Sequence, residues 1–252
     1  MKLADIVSYL DRYLDRGAFS DASVNGLQVE NSGSADRIAL AVDACLESIE
    51  QASRQRCNLL LVHHGILWSD PAPVCGVLYG RIRALLEADI ALYAAHLPLD
   101  AHPEVGNNAE IARLLGLSGT EPFGTYGPRA IGVQGRLAAP ASLGQIMAVV
   151  SRKIGVPKTL LRFGPHRVSR VGIVSGSASD LSFLEEANRV GLDLFLTGEA
   201  KEAAYDAARE LGLNVLFAGH YRTETFGVKA LGRHLQKKFK LPVHFFRTGC
   251  PF

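Results

Sequence analysis

Two adjacent histidines, His63 and His64, follow the apolar run LLLV and precede a glycine. Because successive side chains along a strand point to opposite faces, neighbouring imidazoles can serve two different ions. A histidine pair can also be two hydrogen-bonded, partly exposed residues with no ligand role. Its position directly after an apolar run favours metal binding.

A second histidine, His220, precedes Glu224 by four residues, which is one turn of a helix that begins near residue 220. Both side chains can then reach one site, although such a pair is also typical of a solvated helix face. Asp100 follows Pro98-Leu99, where an aspartate is commonly a turn or cap residue. As a carboxylate, it also complements imidazole as a ligand for zinc, manganese or iron.

Together these residues suit a centre that holds two divalent ions: His63, His64, Asp100, His220 and Glu224. In such a centre a carboxylate can bridge the ions, and the pKa of a bound water falls toward neutrality. Either Asp100 or Glu224 could be the bridge. A set without cysteine that leaves coordination positions open favours catalysis over a closed structural zinc site.

Two further residues are weaker candidates for catalysis. His96 could move protons or hydrogen-bond a ligand, and a structural role is equally compatible with its position. Glu199 could bind substrate or act as an acid or base. No phosphate-binding loop of the form G-x-x-x-x-G-K-[ST] occurs, so the sequence predicts no cofactor-binding residues.

Apolar runs alternate with helical patterns along most of the chain, which predicts an α/β fold with mostly parallel sheets flanked by helices. We divide it into two similar halves, residues 1–125 and 126–252, with the metal site between them and a C-terminal segment that can pack back on the first half. Ligands of parallel sheets bind beyond the carboxyl ends of the strands, where the candidates lie. The predicted strands are 37–44, 58–62, 90–97, 131–137, 170–176, 192–199, 213–220 and 241–246, and the glycine- and proline-rich segment 121–130 is predicted to be a loop.

The bulk composition excludes several classes of protein. A net charge of +2 gives no support to a nucleic-acid partner. No apolar stretch approaches the ~18 residues of a membrane span. The N-terminal residues are not expected to form a signal peptide, since aspartates interrupt each apolar run. The four cysteines form no C-x-x-C pair, which favours free thiols and a cytoplasmic location.

Several segments resemble the YbgI-like family, also called NIF-three-like proteins or GTP cyclohydrolase type 2 homologues. They are NGLQV (25–29), LVHHGILW (61–68), HLPLDAHPEVGNNA (96–109), LDLFLTGE (192–199) and GHYRTE (219–224). The resemblance covers nearly the whole chain, and the chain is similar to the family's short form. It implies two interlocked α/β halves, a hexameric toroid and a dinuclear metal site. The family's ligands would correspond to His63, His64, Asp100, His220 and Glu224, with no departure at these positions.

The family label implies opening of the guanine imidazole ring of GTP with loss of formate. Our first hypothesis is therefore a metal-dependent hydrolase of a small polar, nucleotide-like substrate, in which His96 or Glu199 moves protons. A non-catalytic, metal-containing ring-shaped scaffold or regulatory protein is the alternative. A metallophosphatase is a third hypothesis, because two-metal sites often cleave phosphate esters. The sequence does not distinguish zinc, manganese and iron.

Overall fold

A computed structural model describes residues 1–70 and 72–251 of the chain. The polypeptide forms two compact units, each with its own sheet. The first unit comprises Met1–Leu99 and Gly227–Gly249. The second comprises Asp100–Phe226 and the residues from Cys250 on.

The strands and helices follow one another along most of the chain. The strands are β1 (Gly26–Val29), β2 (Ile38–Asp43), β3 (Leu59–His64), β4 (Ala91–Ala94), β5 (Ser118–Tyr126), β6 (Arg129–Ser142), β7 (Thr159–Arg162), β8 (Arg167–Ile173), β9 (Leu194–Thr197), β10 (Asn214–Phe217) and β11 (Val243–Phe245). The helices are α1 (Leu3–Tyr13), α2 (Leu46–Arg54), α3 (Gly76–Glu87), α4 (Leu97–Asp100), α5 (Asn107–Leu115), α6 (Leu143–Lys153), α7 (Leu181–Arg189), α8 (Ala203–Glu210) and α9 (His220–Phe239). A short 3₁₀ helix spans Arg16–Ala18.

The first unit contains a sheet with the strand order β1-β4-β3-β2-β11. The four strands β4, β3, β2 and β11 run parallel, and β1 is antiparallel to β4. The central strands are almost wholly buried and rich in leucine, valine and alanine, as expected of a parallel sheet. This arrangement places the carboxyl ends of β2, β3 and β4 side by side.

The second unit contains a mixed sheet with the order β5-β6-β8-β9-β10-β7. Only β8, β9 and β10 are parallel to one another, and the β5–β6, β6–β8 and β10–β7 pairs are antiparallel. The predicted α/β class with two sheets is confirmed. The mostly parallel description holds for the first sheet and for the centre of the second.

The segment 121–130 was expected to be a loop, but most of it lies in β5 and in the turn that joins β5 to β6. The loop prediction was wrong because this strand tolerates both proline and glycine. β5 is the edge strand of its sheet, and an edge strand accommodates Pro122 without disrupting a central hydrogen-bond ladder. Gly124 adopts a positive φ of 75°, which favours glycine.

The units differ from the sequence-based division at 125/126. Because β5 and β6 pair with β8, residues 118–142 belong to the second sheet. Because β11 pairs with β2, residues 243–245 belong to the first sheet, which the sequence-based division allowed for a C-terminal segment. Strands β1 and β7 were not predicted. No helix within residues 1–70 and 72–251 combines the length and apolar composition needed to cross a bilayer.

Candidate metal centre

Three histidines of the first unit form what we call the imidazole cluster: His63, His64 and His96. One ring nitrogen from each lies within 4.8 Å of one from each of the others. His63 and His64 are the last residues of β3, and His96 follows the neighbouring strand β4. The centroids of the two adjacent rings, His63 and His64, lie 4.8 Å apart, and the ring planes meet at 80°. Sheet topology therefore assembles three metal-competent nitrogens.

A carboxylate holds one nitrogen of His64. Asp43 ends β2 and is the register partner of His64 on the adjacent parallel strand. Its Oδ1 lies 2.8 Å from Nδ1 of His64. In the neutral imidazole, a proton on Nδ1 leaves Nε2 as the lone-pair nitrogen, which is the form that binds a metal.

His96 is held by a more buried carboxylate. Asp21 Oδ1 lies 2.8 Å from Nδ1 of His96, and only 3% of the Asp21 side chain is exposed. Asp21 also accepts hydrogen bonds from the backbone amides of Ser23 and Leu97 and from the side-chain amide of Asn25. Burial alone raises the pKa of the Asp21 carboxyl, but His96 and the amide donors outweigh it and lower the pKa to about 2.

In the second unit, His220 and Glu224 occupy the first turn of α9, as the i, i+4 spacing predicted. Nε2 of His220 lies 3.1 Å from Oε1 of Glu224. When two ligand atoms bind the same ion at about 2.1 Å, and their bonds to it form a right angle, the two atoms are about 3 Å apart. On the other side of the ring, Nδ1 of His220 lies 2.7 Å from Oε2 of Glu199. The geometry of this pair therefore fits a shared divalent cation.

A glycine keeps the space beside this pair clear of side-chain atoms. A Cβ added at Gly176 would lie 2.4 Å from Oε1 of Glu224 and 3.3 Å from Nε2 of His220. Gly176 also has a φ of +68°, which disfavours other residues. Its backbone N–H donates to Oγ1 of Thr223, which ties the loop after β8 to α9.

Asp100 lies in the second unit at the end of α4 and is almost fully buried. Its Oδ1 accepts hydrogen bonds of 2.8 Å from Nδ2 of Asn107 and from Oγ of Ser175. Asn108 links the backbone of this segment to that of the loop after β8, since its Oδ1 accepts from the Ser175 amide. Ser175 is thus a partner of a carboxylate, and the following residue, Gly176, borders Glu224.

Residues 1–251 match the family described as Duf34/NIF3 (NGG1p interacting factor 3). The chain belongs to the Duf34/NIF3 family. This confirms the resemblance predicted from the sequence.

Relatives in the NIF3 family cover almost the full chain. A Deinococcus radiodurans protein named "GTP cyclohydrolase 1 type 2 homolog" is 42% identical over 247 residues, which are 97% of this chain and 93% of that protein. A Pyrococcus abyssi protein of the same name is 43% identical and is covered to 97%, as is this chain. The solved structure of protein ybgI, a protein described as of unknown function, is 35% identical to this chain, and the match covers 100% of both chains with a TM-score of 0.93.

Sequence reasoning missed the residues that support the candidate ligands. Asp43 ends a predicted strand, so the same strand-end rule that selected His63 could have found it. Asp21 lies in a polar connection and carries no local signal, because its partner His96 is 75 residues away. Gly176 carries no local signal either, because its role depends on Glu224, a neighbour in α9.

Proposed function

We propose that this NIF3-family chain is a metal-dependent hydrolase of a nucleotide-like substrate. Its two divalent ions would be bound by His63, His64, Asp100, His220 and Glu224. The observation that carries the proposal is the imidazole cluster, in which three ring nitrogens lie within 4.8 Å of one another. The name of the curated relatives, GTP cyclohydrolase 1 type 2 homolog, supports GTP as the first substrate to test.

The orientation of the rings supports metal binding over simple packing. Nδ1 of His64, His96 and His220 each faces a carboxylate oxygen, at 2.8, 2.8 and 2.7 Å. A carboxylate that accepts a hydrogen bond from one nitrogen of a metal-binding histidine fixes the orientation of the ring. It also makes the other nitrogen a more basic metal ligand. Two of these histidines, His64 and His220, are proposed ligands, and packing alone does not account for the same arrangement at both.

Asp100 and Glu224 supply negative charge that would balance the ions. Both side chains are nearly buried, at 6% and 2% exposed, where an uncompensated carboxylate is costly. Hydrogen bonds from Asn107 and Ser175 hold the Asp100 carboxylate in one orientation. Buried carboxylates paired with imidazoles are the donor set that zinc, manganese and iron accept.

Two bound divalent ions would lower the pKa of a water and polarise the substrate. In our proposal His96 accepts and returns the proton at Nε2, because Asp21 holds its Nδ1. Asp21 is then a positioning residue that keeps the ring in one tautomer. Glu199 acts in the same way on His220, so we favour this role over direct acid–base catalysis.

The NIF3 resemblance also supports a homohexamer and two ions per chain, and we propose both. The mass of the particle in solution, measured by light scattering, tests the first. Metal content per chain tests the second.

The test of function is a turnover screen on protein that has been stripped and reloaded with zinc, manganese or iron. GTP and other nucleotides are the substrates, with formate and phosphate as readouts. We expect formate from GTP with at least one metal, and none from Glu224→Gln. Glu210→Gln changes an exposed glutamate of α8 and is the matched control.

Two outcomes would contradict the proposal. If Glu224→Gln binds the full metal content and turns over substrate as fast as the wild type, Glu224 is not a ligand of the centre. A wild-type protein that binds metal but turns over no nucleotide would favour the scaffold hypothesis, and phosphate release without formate would favour a phosphatase.

A further inference from the structure

Trp68, the only tryptophan of the chain, stands at the edge of the imidazole cluster. The centroid of its ring system lies 5.5 Å from the ring of His96 and 6.2 Å from that of His64. The residue is 42% exposed, although tryptophan is usually among the more buried residues. The indole therefore presents a large aromatic surface to solvent beside three imidazoles.

The backbone that carries Trp68 is held in place on both sides. The Val24 amide donates to the Leu67 carbonyl at 3.2 Å, and the Ser69 amide donates to the Ala22 carbonyl at 2.7 Å. Ser23 and Trp68 form an antiparallel bridge between these bonds. The exposed ring is thus carried by a backbone that an isolated bridge and two flanking hydrogen bonds hold in place.

Gln28 fixes the residues just before Trp68. Its Oε1 accepts from the amides of Ile66 and Leu67 at 2.7 and 3.1 Å, and its Nε2 donates to the Leu67 carbonyl. A Cβ at Gly65 would lie 2.3 Å from the Gln28 amide, so this glycine is required for the contact. Gln28 and Gly65 together hold the backbone next to Trp68 in position.

An exposed aromatic ring on a backbone that is already held in place loses little additional conformational freedom when it binds a ligand. Aromatic rings stack with planar bases, whose faces are apolar and whose edges are polar. The known ring neighbours of the indole, His64 and His96, are polar groups that can meet such an edge. An apolar protein partner would instead be expected to meet a continuous apolar patch.

We propose that Trp68 forms a ring-binding subsite for a planar heteroaromatic base, whose polar edge faces the imidazole cluster. This inference deepens the proposed function and rests on it for the class of substrate. It makes Trp68 a specificity-determining residue, because a ligand without a base would lose the stacking contact.

The single tryptophan provides its own probe. Zinc-loaded protein is titrated with GTP while Trp68 emission is followed with excitation at the red edge of its absorption band. We expect saturable quenching by GTP and no change with inorganic triphosphate or ribose 5-phosphate. Trp68→Leu should bind GTP about tenfold more weakly by calorimetry, and Trp68→Phe should recover most of the affinity.

The matched control is Tyr79→Leu, which removes another half-exposed aromatic ring of the first unit, on α3. It should bind GTP as the wild type does. Zinc content should be unchanged in all three variants, which separates the subsite from the metal ligands. If the wild type binds none of zinc, manganese and iron, the function proposal fails, and base-selective quenching of the metal-free protein would still support the subsite.

Wild-type GTP affinity in Trp68→Leu would overturn the subsite. So would a blue-shifted tryptophan emission that acrylamide does not quench, because the indole would then be covered in the assembled protein.

Discussion

The imidazole cluster of the first unit and the His220–Glu224 pair of the second are built in different ways. The cluster depends on the register of neighbouring strands, since His63 and His64 end β3 and His96 follows β4. The pair depends on one turn of α9. One arrangement uses contacts between distant residues, and the other uses local helix geometry.

The supporting carboxylates differ in the same way. Asp21, behind His96, is 3% exposed and accepts several hydrogen bonds, whereas Glu199, behind His220, is 52% exposed. A buried carboxylate whose oxygens all accept hydrogen bonds is held in one position, whereas water screens the interactions of an exposed carboxylate. Substitution of the carboxylate behind the cluster should therefore lower the free energy of unfolding strongly. Substitution of the carboxylate behind the His220–Glu224 pair should lower it only slightly.

The largest expected effect comes from Asp21→Asn. The amide keeps the shape of the side chain but removes its charge and one acceptor. The donors at Oδ1 are His96 and the Ser23 amide, and those at Oδ2 are Asn25 and the Leu97 amide, so one of these two pairs loses its acceptor. We expect a loss of about 3 kcal/mol in the free energy of unfolding of the metal-free protein, measured in urea. A loss below about 0.5 kcal/mol, which is typical of a surface site, would contradict the comparison.

The same carboxylate should give a pH signature. The Asp21 pKa is lowered from 3.8 to about 2, so its contribution to stability is present above pH ~4 and is lost as the pH falls toward about 2. The difference in unfolding free energy between wild type and Asp21→Asn should shrink over this interval. A difference that stays constant from pH 6 to about 2 would remove the assigned cause.

Gly176→Ala tests how tightly the His220–Glu224 pair is enclosed. The new Cβ meets Glu224 at 2.4 Å, in addition to the strain of a positive φ. Gly127→Ala is the matched control, because its φ is +58° and nothing lies within 4 Å of its Cβ position. Both should lose about 1–2 kcal/mol from backbone strain. Only Gly176→Ala should also lose metal affinity, and equal affinities in a zinc titration would argue against the predicted clash.

Glu199→Gln should have the smallest effect on stability, below about 1 kcal/mol, because the carboxylate is half exposed. Its effect on metal affinity should be about tenfold, the lower end for a residue that orients a ligating histidine. Competition with a chromophoric chelator measures this affinity. A loss of stability as large as that of Asp21→Asn would erase the difference between the two regions.

The sequence predicted the parts of the molecule that follow from local patterns. Strand ends identified His63 and His64, and helical spacing identified His220 and Glu224. It missed the supports, because Asp21 and Gly176 gain their roles from residues far along the chain. It also missed β1, β5 and β7. All three are edge strands, and tertiary pairing with β4, β6 and β10 overrides local propensity there.

The most direct test of the proposed centre is the number of metal ions per chain, measured after dialysis by inductively coupled plasma mass spectrometry. We predict about two ions for wild type, consistent with a two-metal site. His64→Ala, in the first unit, and Glu224→Gln, in the second, should each reduce that number. Undiminished metal content in both variants, or none in the reloaded wild type, would contradict the assignment of these residues as ligands.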